Sequence, residues 1–474
     1  MIQVTFMHRR SAAMLLCVAS FLGGCSNWYD TGTTPRSAGY RPGYPSFDVE
    51  CVPQVTEGRS GLDVHLRTVT PTLTFLKVEG GFSARLLVQV RVMELDGETQ
   101  VAEAAWPETL TVASYPETQS HPSLHIRRFV PVAAGEYRVR VQIEDLATGK
   151  TGDRVPSVVV PRVIEGDPSL GGLVLSRRVA GGDLEPVVGF HVPASRETLF
   201  ASAPAINVPT GTPLRVEYTI CRYVTDTLRA TAPYLFMPTM TAMERKRIFP
   251  QSIDTVLVAR ETRNLGADGR VLDDPLPPLG RGVYQLALYV WGPGQDTTEA
   301  SAAGAIKYFV VVGPSFPRPV LVKDLVDASG YLAYRHEQAA LDTLRDQEEL
   351  RTAFDRFWLS MTRDKRRAVR LMRTFFARIE EANRLFSSYK EGWKTDRGMV
   401  YAVFGPPESV EKKPESEVWY YNFPGPYQGN VFEFRRVFFA PAKLAIEEYL
   451  LRRSPVYEAS WDRMVQKWRE GEVY

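Results

Sequence analysis

The sequence predicts a multidomain chain, two tandem β-sandwiches followed by an α+β domain, and three observations predict it. From Phe47 onward, apolar and polar residues alternate in short runs separated by glycine and proline turns, the period of half-buried strands. Between Leu350 and Phe386 the apolar spacing changes to that of a helix face, and beyond Lys390 alternating runs return. The length of 474 residues suits about three domains. With 44% hydrophobic and 24% charged residues, the composition is that of a folded protein. Lys+Arg 57 against Asp+Glu 55 leaves a net charge of +2, so no global field draws the chain to nucleic acid.

The first element is an address. His8, Arg9 and Arg10 precede an apolar run from Ser11 to Phe21, and Leu22-Gly23-Gly24-Cys25 follows. The run is too short to span a bilayer and reads as a signal peptide over 1–24. The four-residue site resembles the lipobox of bacterial lipoproteins, which implies acylation of Cys25 and a membrane anchor at the mature N-terminus. Diacyl and N-acyl chains hold a protein stably, at about 0.8 kcal/mol per buried methylene. Ser26 after the cysteine favours the outer membrane by the sorting rule of Gram-negative lipoproteins. Residues 25–46, rich in Gly, Pro, Ser and Tyr, read as a tether. Cys51 and Cys221 remain in the mature chain and read as buried small hydrophobes in different domains, although the compartment permits a disulfide.

The next element is strand-rich. Leu62, Val64 and Leu66 alternate with Asp63, His65 and Arg67, and Val88, Val90 and Val92 follow after the Glu79-Gly80-Gly81 turn. Two stretches repeat one layout, a Gly two residues before a Tyr that opens an alternating strand: Gly135-Glu136-Tyr137 and Gly282-Val283-Tyr284. This is the layout of the tyrosine corner in immunoglobulin-like sandwiches, where the hydroxyl pins the turn to nearby backbone. Two immunoglobulin-like β-sandwiches are therefore expected, at 47–165 and 166–315, with a linker at 316–334.

The last element, 335–474, is α+β. Leu350, Ala353, Phe354, Phe357 and Met361 predict one helix; Met372, Phe375, Phe376, Ile379, Ala382 and Phe386 predict a second, with Thr362 or Asp364 as its N-cap. Strands are expected at Met399–Phe404, Val418–Tyr421 and Val431–Phe439, and a helix at Ala442–Leu451. The order Gly392-Trp393-Lys394-Thr395-Asp396-Arg397-Gly398, then Val400 to Pro407, preceded by Phe354-Asp355-Arg356-Phe357-Trp358 and followed by Glu417-Val418-Trp419-Tyr420-Tyr421, resembles the GWxTD domain family. The resemblance implies a secreted or lipid-anchored bacterial envelope protein; it implies no chemistry.

In physical terms, the motif is expected where a helix gives way to a strand. Gly392 would stop the helix with φ > 0, Trp393 would bury its ring while its N–H finds a carbonyl, and Thr395 and Asp396 would bond turn amides. The competing reading places Trp393, Thr395, Asp396, Arg397, Trp419 and Tyr421 around a binding cleft. None of the six histidines lies beyond His336, so the last domain lacks a Ser-His or Cys-His pair. No HExxH, GxSxG or P-loop pattern occurs, and no cofactor is expected. His121 and His125 lie four apart, but Pro122 argues against one helical face. Carboxylates alone can hydrolyse a glycosidic bond, which keeps Asp396 with Glu417 as the enzyme alternative. The basic run Arg363, Lys365, Arg366, Arg367, Arg370 and Arg373 reads as a solvated helix face or a dock for an acidic partner or lipid headgroups. The expected role is a non-enzymatic binding or scaffold module in the cell envelope, with a membrane anchor and an envelope protein partner; the alternative is a carboxylate-dependent hydrolase of cell-wall glycan or peptide.

Overall fold

The computed structural model describes residues 28–30, 44–56, 59–95, 97–119, 124–162, 169–178, 184–195, 197–206, 208, 211–235, 253–264, 274–295, 303–362, 364–422, 430–439 and 446–473. Several β-sheets make up the N-terminal two thirds, and helices enter in the C-terminal third. Cys25, Ser26 and the signal segment lie outside the described residues. Within the stretch expected to be a tether, β1 (Trp28–Asp30) instead pairs in parallel with Gly304, Ala305 and Ile306 of the body.

In the first module, β2 (Phe47–Thr56), β3 (Arg59–Thr68) and β7 (His125–Pro131) form one sheet. It faces a second sheet of β4 (Leu76–Val78), β5 (Gly81–Glu94), β6 (Gln100–Val112), β8 (Gly135–Asp145), β9 (Lys150–Arg154) and β10 (Ser157–Val160). A single helical turn, α1 (Tyr115–Thr118), follows β6. Leu62, Val64 and Leu66 meet Val88, Val90 and Val92 in the shared core, as their alternation requires. Gly80, at φ +84°, makes the turn into β5 that only glycine takes without strain.

The second module holds the short strands β11 (Ser169–Leu170), β12 (Val174–Arg178), β13 (Leu184–Pro186), β14 (His191–Pro193), β15 (Leu199–Ser202) and β16 (Ala205–Ile206). Its long strands are β17 (Pro213–Tyr223), β18 (Ile253–Asn264), β20 (Gly282–Trp291) and β21 (Ala303–Val312), with the two-residue β19 (Asp274–Pro275) between them. The long strands form one sheet in the order β21-β20-β17-β18, and β13-β12-β15-β19 form another. Tyr284 Oη donates to Gly280 O at 2.8 Å, four residues upstream, the bond expected of a tyrosine corner. Tyr137 occupies the matching place, its hydroxyl against Gly135. Cys51 and Cys221 are both buried and unbridged.

All ten residues of β21 are buried, because its two faces meet different partners. One face joins the second module's core. The other puts Tyr308, Val310 and Val312 against Tyr389 and Leu450 of the C-terminal region. Lys307, at the same strand's midpoint, forms a buried ion pair with Glu50 of β2, so β21 also touches the first module. The polar face of β2 and β3 is correspondingly covered: Asp48, Glu50, Asp63 and His65 are all buried, unlike a solvated sheet face.

The expected linker is itself structured. It contains α2 (Val322–Ser329) and a 3₁₀ turn, Gly330–Leu332, and Ala328, Tyr331 and Leu332 enter the C-terminal core. Next come α3 (Arg335–Thr343), α4 (Gln347–Thr362) and α5 (Lys365–Phe386). Asp364 caps α5, accepting from the amides of Arg366 and Arg367 at 2.7 and 3.3 Å. After a 3₁₀ turn at Gly392–Lys394 comes α6 (Asp396–Phe404), where a strand was expected. The error has a physical cause: every residue of α6 is buried, so the misread stretch Met399–Phe404 is apolar on all sides and carries no 3.6 period. A four-stranded antiparallel sheet follows, β22 (Ser409–Lys413), β23 (Ser416–Tyr420), β24 (Val431–Phe439) and β25 (Ile446–Leu451), then α7 (Glu458–Glu470). The helix expected at Ala442–Leu451 is therefore strand β25 from Ile446 onward. Among the described residues, no helix is long and apolar enough to cross a membrane.

Candidate functional site

The motif residues sit between α5 and α6, and glycine brings the two helices together. A Cβ on Gly392 would lie 2.0 Å from Ala382 O of α5, and one on Gly398 would lie 1.9 Å from Gly392 O. Neither glycine has positive φ, so both are needed for close approach, and Gly392 is not the positive-φ helix stop that was expected. Ser387 is the C-cap of α5.

Asn383 of α5 holds the turn in place. Its Oδ1 accepts from Trp393 N at 3.1 Å, and its Nδ2 donates to Pro317 O at 2.7 Å. Ser387 Oγ accepts from Gly392 N at 2.7 Å. Thr395 is the N-cap of α6: its Oγ1 accepts from Gly398 N at 3.1 Å and donates to Gly392 O at 2.7 Å. Trp393 packs edge-on against Tyr331, whose hydroxyl donates to Trp393 O at 2.8 Å. The expected partner for the indole N–H is not found: Trp393 Nε1 is buried without a hydrogen bond among the described residues. The Lys394 ammonium lies over the same ring at 5.1 Å.

Asp396 faces inward at the start of α6. One carboxylate oxygen accepts from Leu451 N of β25 at 2.8 Å; the other pairs with Arg453. Arg453 also donates to the carbonyls of Thr231 (2.5 Å) and Ala232 (2.8 Å), in the β17–β18 connection of the second module. Ala230 N donates to Lys394 O at 3.0 Å, and Ser454 N to Pro233 O at 3.2 Å. The motif thus grips a segment about 160 residues upstream, and Ala230, Ala232 and Tyr234 pack on the C-terminal core.

Arg397 is fully buried and pairs with the equally buried Glu417 at 3.4 Å. Its guanidinium lies 4.0 Å from the Tyr449 ring centroid and 5.2 Å from that of Phe386. Glu417 Oε1 also accepts from Trp419 Nε1 at 2.5 Å. Tyr421 Oη donates to Gly405 O at 2.8 Å, fixing the turn after α6. The structure does bring Trp393, Thr395, Asp396, Arg397, Trp419 and Tyr421 into one neighbourhood. All six are buried and engaged in packing, capping or ion pairs, in the neighbourhood where the competing reading placed a binding cleft. Asp396 and Glu417 are each paired with an arginine, and both carboxylates are buried.

Beside the motif lies a second buried polar group. Glu448 of β25 accepts from Ser388 Oγ and, at 2.9 Å, from Tyr449 N, while Ser388 O accepts from His191 Nε2 of the second module at 2.7 Å. Burial pushes the Glu448 carboxyl above its ordinary value, against the pull of Arg397 and of its hydrogen bonds. Between the unfolded value near 4.5 and the raised folded value, only the folded state keeps the proton, so stability falls as pH rises through that window. Glu448→Gln is expected to remove this slope: its stability should rise relative to wild type between acidic and neutral pH. Urea midpoints across that range measure it, and parallel curves would contradict it.

Asn383, Arg453 and Glu448 were not singled out from sequence. Asn383 did carry a signal, a polar residue four positions after Ile379 on the apolar stripe of α5. His121 lies outside the described residues. His125 meets His65 in the first module, ring nitrogens 3.3 Å apart, with Asp63 on the far side of His65 at 3.3 Å. Among the described residues no group of three or more His, Cys, Asp or Glu side chains is arranged to hold a metal ion.

A β-rich body of several sheets, closed at its C-terminus by a helix–sheet domain with a buried signature, is the class these features define. Residues 295–470 match the model of the GWxTD domain family, and the chain is a GWxTD domain-containing protein. The match begins before β21, so the family's unit includes the strand that joins all three regions. No curated protein matches the chain. Similar solved structures include fibronectin(III)-like modules of CbhA from Clostridium thermocellum, at 12% identity over 54% of this chain and 90% of that one, with a TM-score of 0.16. Red sea bream transglutaminase gives 12% identity over 56% and 31%, with a TM-score of 0.16. Escherichia coli alpha-2-macroglobulin activated by porcine elastase gives 12% over 57% and 24%, with a TM-score of 0.17. TM-scores of this size establish no shared overall fold.

Proposed function

We propose that this protein is a lipid-anchored scaffold of the bacterial cell envelope, two immunoglobulin-like modules holding a GWxTD domain in fixed orientation, and that it acts by binding rather than by catalysis. The observation that carries the reading is the inward pairing of the signature: Asp396 through Arg453 reaches the second module, and Arg397 is closed off by Glu417. Residues used in this way join modules and are not free for a substrate. Further joints support the same reading. Lys307 pairs with Glu50, Arg281 with Asp324 and Lys390 with Asp226, each crossing from one region to another. Buried or half-buried ion pairs of this kind are costly to break singly and fix orientation.

The signal-like segment ending in Cys25 supplies the anchor in this reading, and Ser26 favours the outer membrane. The test is a crosslinked pull-down from envelope membranes, with Cys25→Ala as control. Recurrent envelope proteins that vanish with the anchor are the expected result. Recovery of glycan fragments without a protein partner would contradict it and return attention to Asp396 and Glu417.

A further inference from the structure

On the sheet of β2, β3 and β7, the face turned away from the first module's core carries Asp48 and Glu50 of β2, Asp63, His65 and Arg67 of β3, and His125 and Arg127 of β7. The second module lies against it. Lys307 of β21 pairs with Glu50, Gly172 N donates to Pro53 O at 2.8 Å, and Gly189 rests on Asp48. His65 is only 4% exposed, and in the strand register it stands directly across from Glu50. It is therefore a neighbour of the ion pair that joins the two modules.

Geometry decides which hydrogens the two rings carry. His65 Nδ1 and His125 Nε2 are 3.3 Å apart, the ring centroids are 5.5 Å apart, and the planes are 17° from parallel. One ring radius on each side takes up the difference between the two distances, so the nitrogens point straight at each other along the line of centres. An N–H···N hydrogen bond has this arrangement, whereas a metal ion shared by two imidazoles needs their lone pairs to converge at an angle. His65 Nε2 lies 3.3 Å from Asp63 Oδ2, which also accepts from Arg127 Nε at 2.7 Å. With both rings neutral the chain is complete: His125 Nε2–H donates to His65 Nδ1, and His65 Nε2–H donates to Asp63. One added proton only reverses the bond between the rings. A second sets N–H against N–H, and the bond is lost.

The new charges would also meet cations from both modules. Arg67 and Arg127 flank the pair on β3 and β7, Lys307 comes from β21, and Arg177 of β12 acts on Arg67. Asp48, Asp63 and Glu50 are already paired, with Arg67, Arg127 and Lys307. The acid that reaches His125 from the second module is Glu185 of β13, which is exposed. Burial first, then His65, Arg127 and Arg67, hold His125 below its ordinary value of 6.5, against the pull of Glu185. Such a group takes its proton more readily once the face opens, so stability at this joint falls as pH drops below 6.5.

We propose that the His65–His125 pair is a proton-operated latch between the first and second modules, closed while both rings are neutral and opened when both are protonated. The modules then hold one orientation at neutral pH and are released from it in acid. The inference goes beyond the scaffold reading and depends neither on lipidation nor on an envelope partner.

Hydrogen exchange of the full chain in mild detergent tests it, read at the Gly172 amide that bonds across the joint. Rates are compared at about pH 7.5 and about pH 5 after correction for the intrinsic pH dependence of exchange. In the wild type Gly172 should lose protection at least about tenfold at the lower pH, while amides of β5 in the first module's core keep theirs. His125→Gln retains a donor for His65 Nδ1 but takes no proton, so its Gly172 amide should stay protected at both pH values. Glu448 titrates alike in both proteins and cancels from the comparison. Unaltered thermal melting of His125→Gln at neutral pH is the folding control. Equal protection of Gly172 at both pH values in the wild type overturns the proposal by itself, without any variant. So does a loss of protection in acid that persists in His125→Gln.

Discussion

Gly398→Ala should cost the protein about 3 kcal/mol or more, an overpacking penalty at the top of the usual range. The added methyl would sit 1.9 Å from Gly392 O, 2.6 Å from Gly392 C and 2.9 Å from Trp393 Cα, all of them backbone atoms. No side chain can rotate aside, so α6 must move off the 3₁₀ turn. Gly392→Ala should behave alike, its methyl 2.0 Å from Ala382 O on α5. The control is Gly280→Ala, where nothing lies within 4 Å of the added atom and the backbone conformation is ordinary. It should melt within about 0.5 kcal/mol of wild type. Thermal or urea unfolding of the three variants measures the difference, and a well-folded Gly398→Ala protein would show that the two backbones are not in contact.

Arg397→Met is expected to destabilise by about 3–5 kcal/mol, because it strands the buried Glu417 charge with Trp419 Nε1 as its remaining partner among the described residues. Arg397→Lys should fall between wild type and Arg397→Met. It keeps the charge but loses the planar face stacked 4.0 Å from the Tyr449 ring centroid. The double variant Arg397→Met/Glu417→Gln should recover part of the loss, since no unpaired ion remains. Equal costs for the double variant and the sum of the singles would place the two groups in independent interactions.

These two expectations mark where sequence reasoning worked and where it stopped. The strands of the first module and the helices over 347–386 were legible, because in each the apolar residues keep to one face and leave a period in the sequence. The tyrosine corner at Tyr284 was legible from a local pattern, and its bond to Gly280 spans only four residues. Met399–Phe404 was misread because total burial erases the period that separates helix from strand. The candidate site was half legible. Its residues do cluster, and Thr395 does cap backbone amides. Their partners were not legible: Asp396 meets Arg453, 57 residues on, and through it Thr231 and Ala232. No local pattern encodes such a long-range contact, so exposure in a cleft and burial in a joint looked alike.

The central claim is that the signature fastens the GWxTD domain to the module before it. Hydrogen exchange on the Asp396→Asn variant tests it most directly, read at the amides of Ala230 and of Leu451 to Ser454. Losing the charge on Asp396 should release Arg453 and with it the 230–235 segment. Faster exchange at both places, with a stability loss of about 1–3 kcal/mol, is the predicted result. Unchanged exchange and stability, together with a lost ligand, partner or activity, would contradict the account and make Asp396 a site residue.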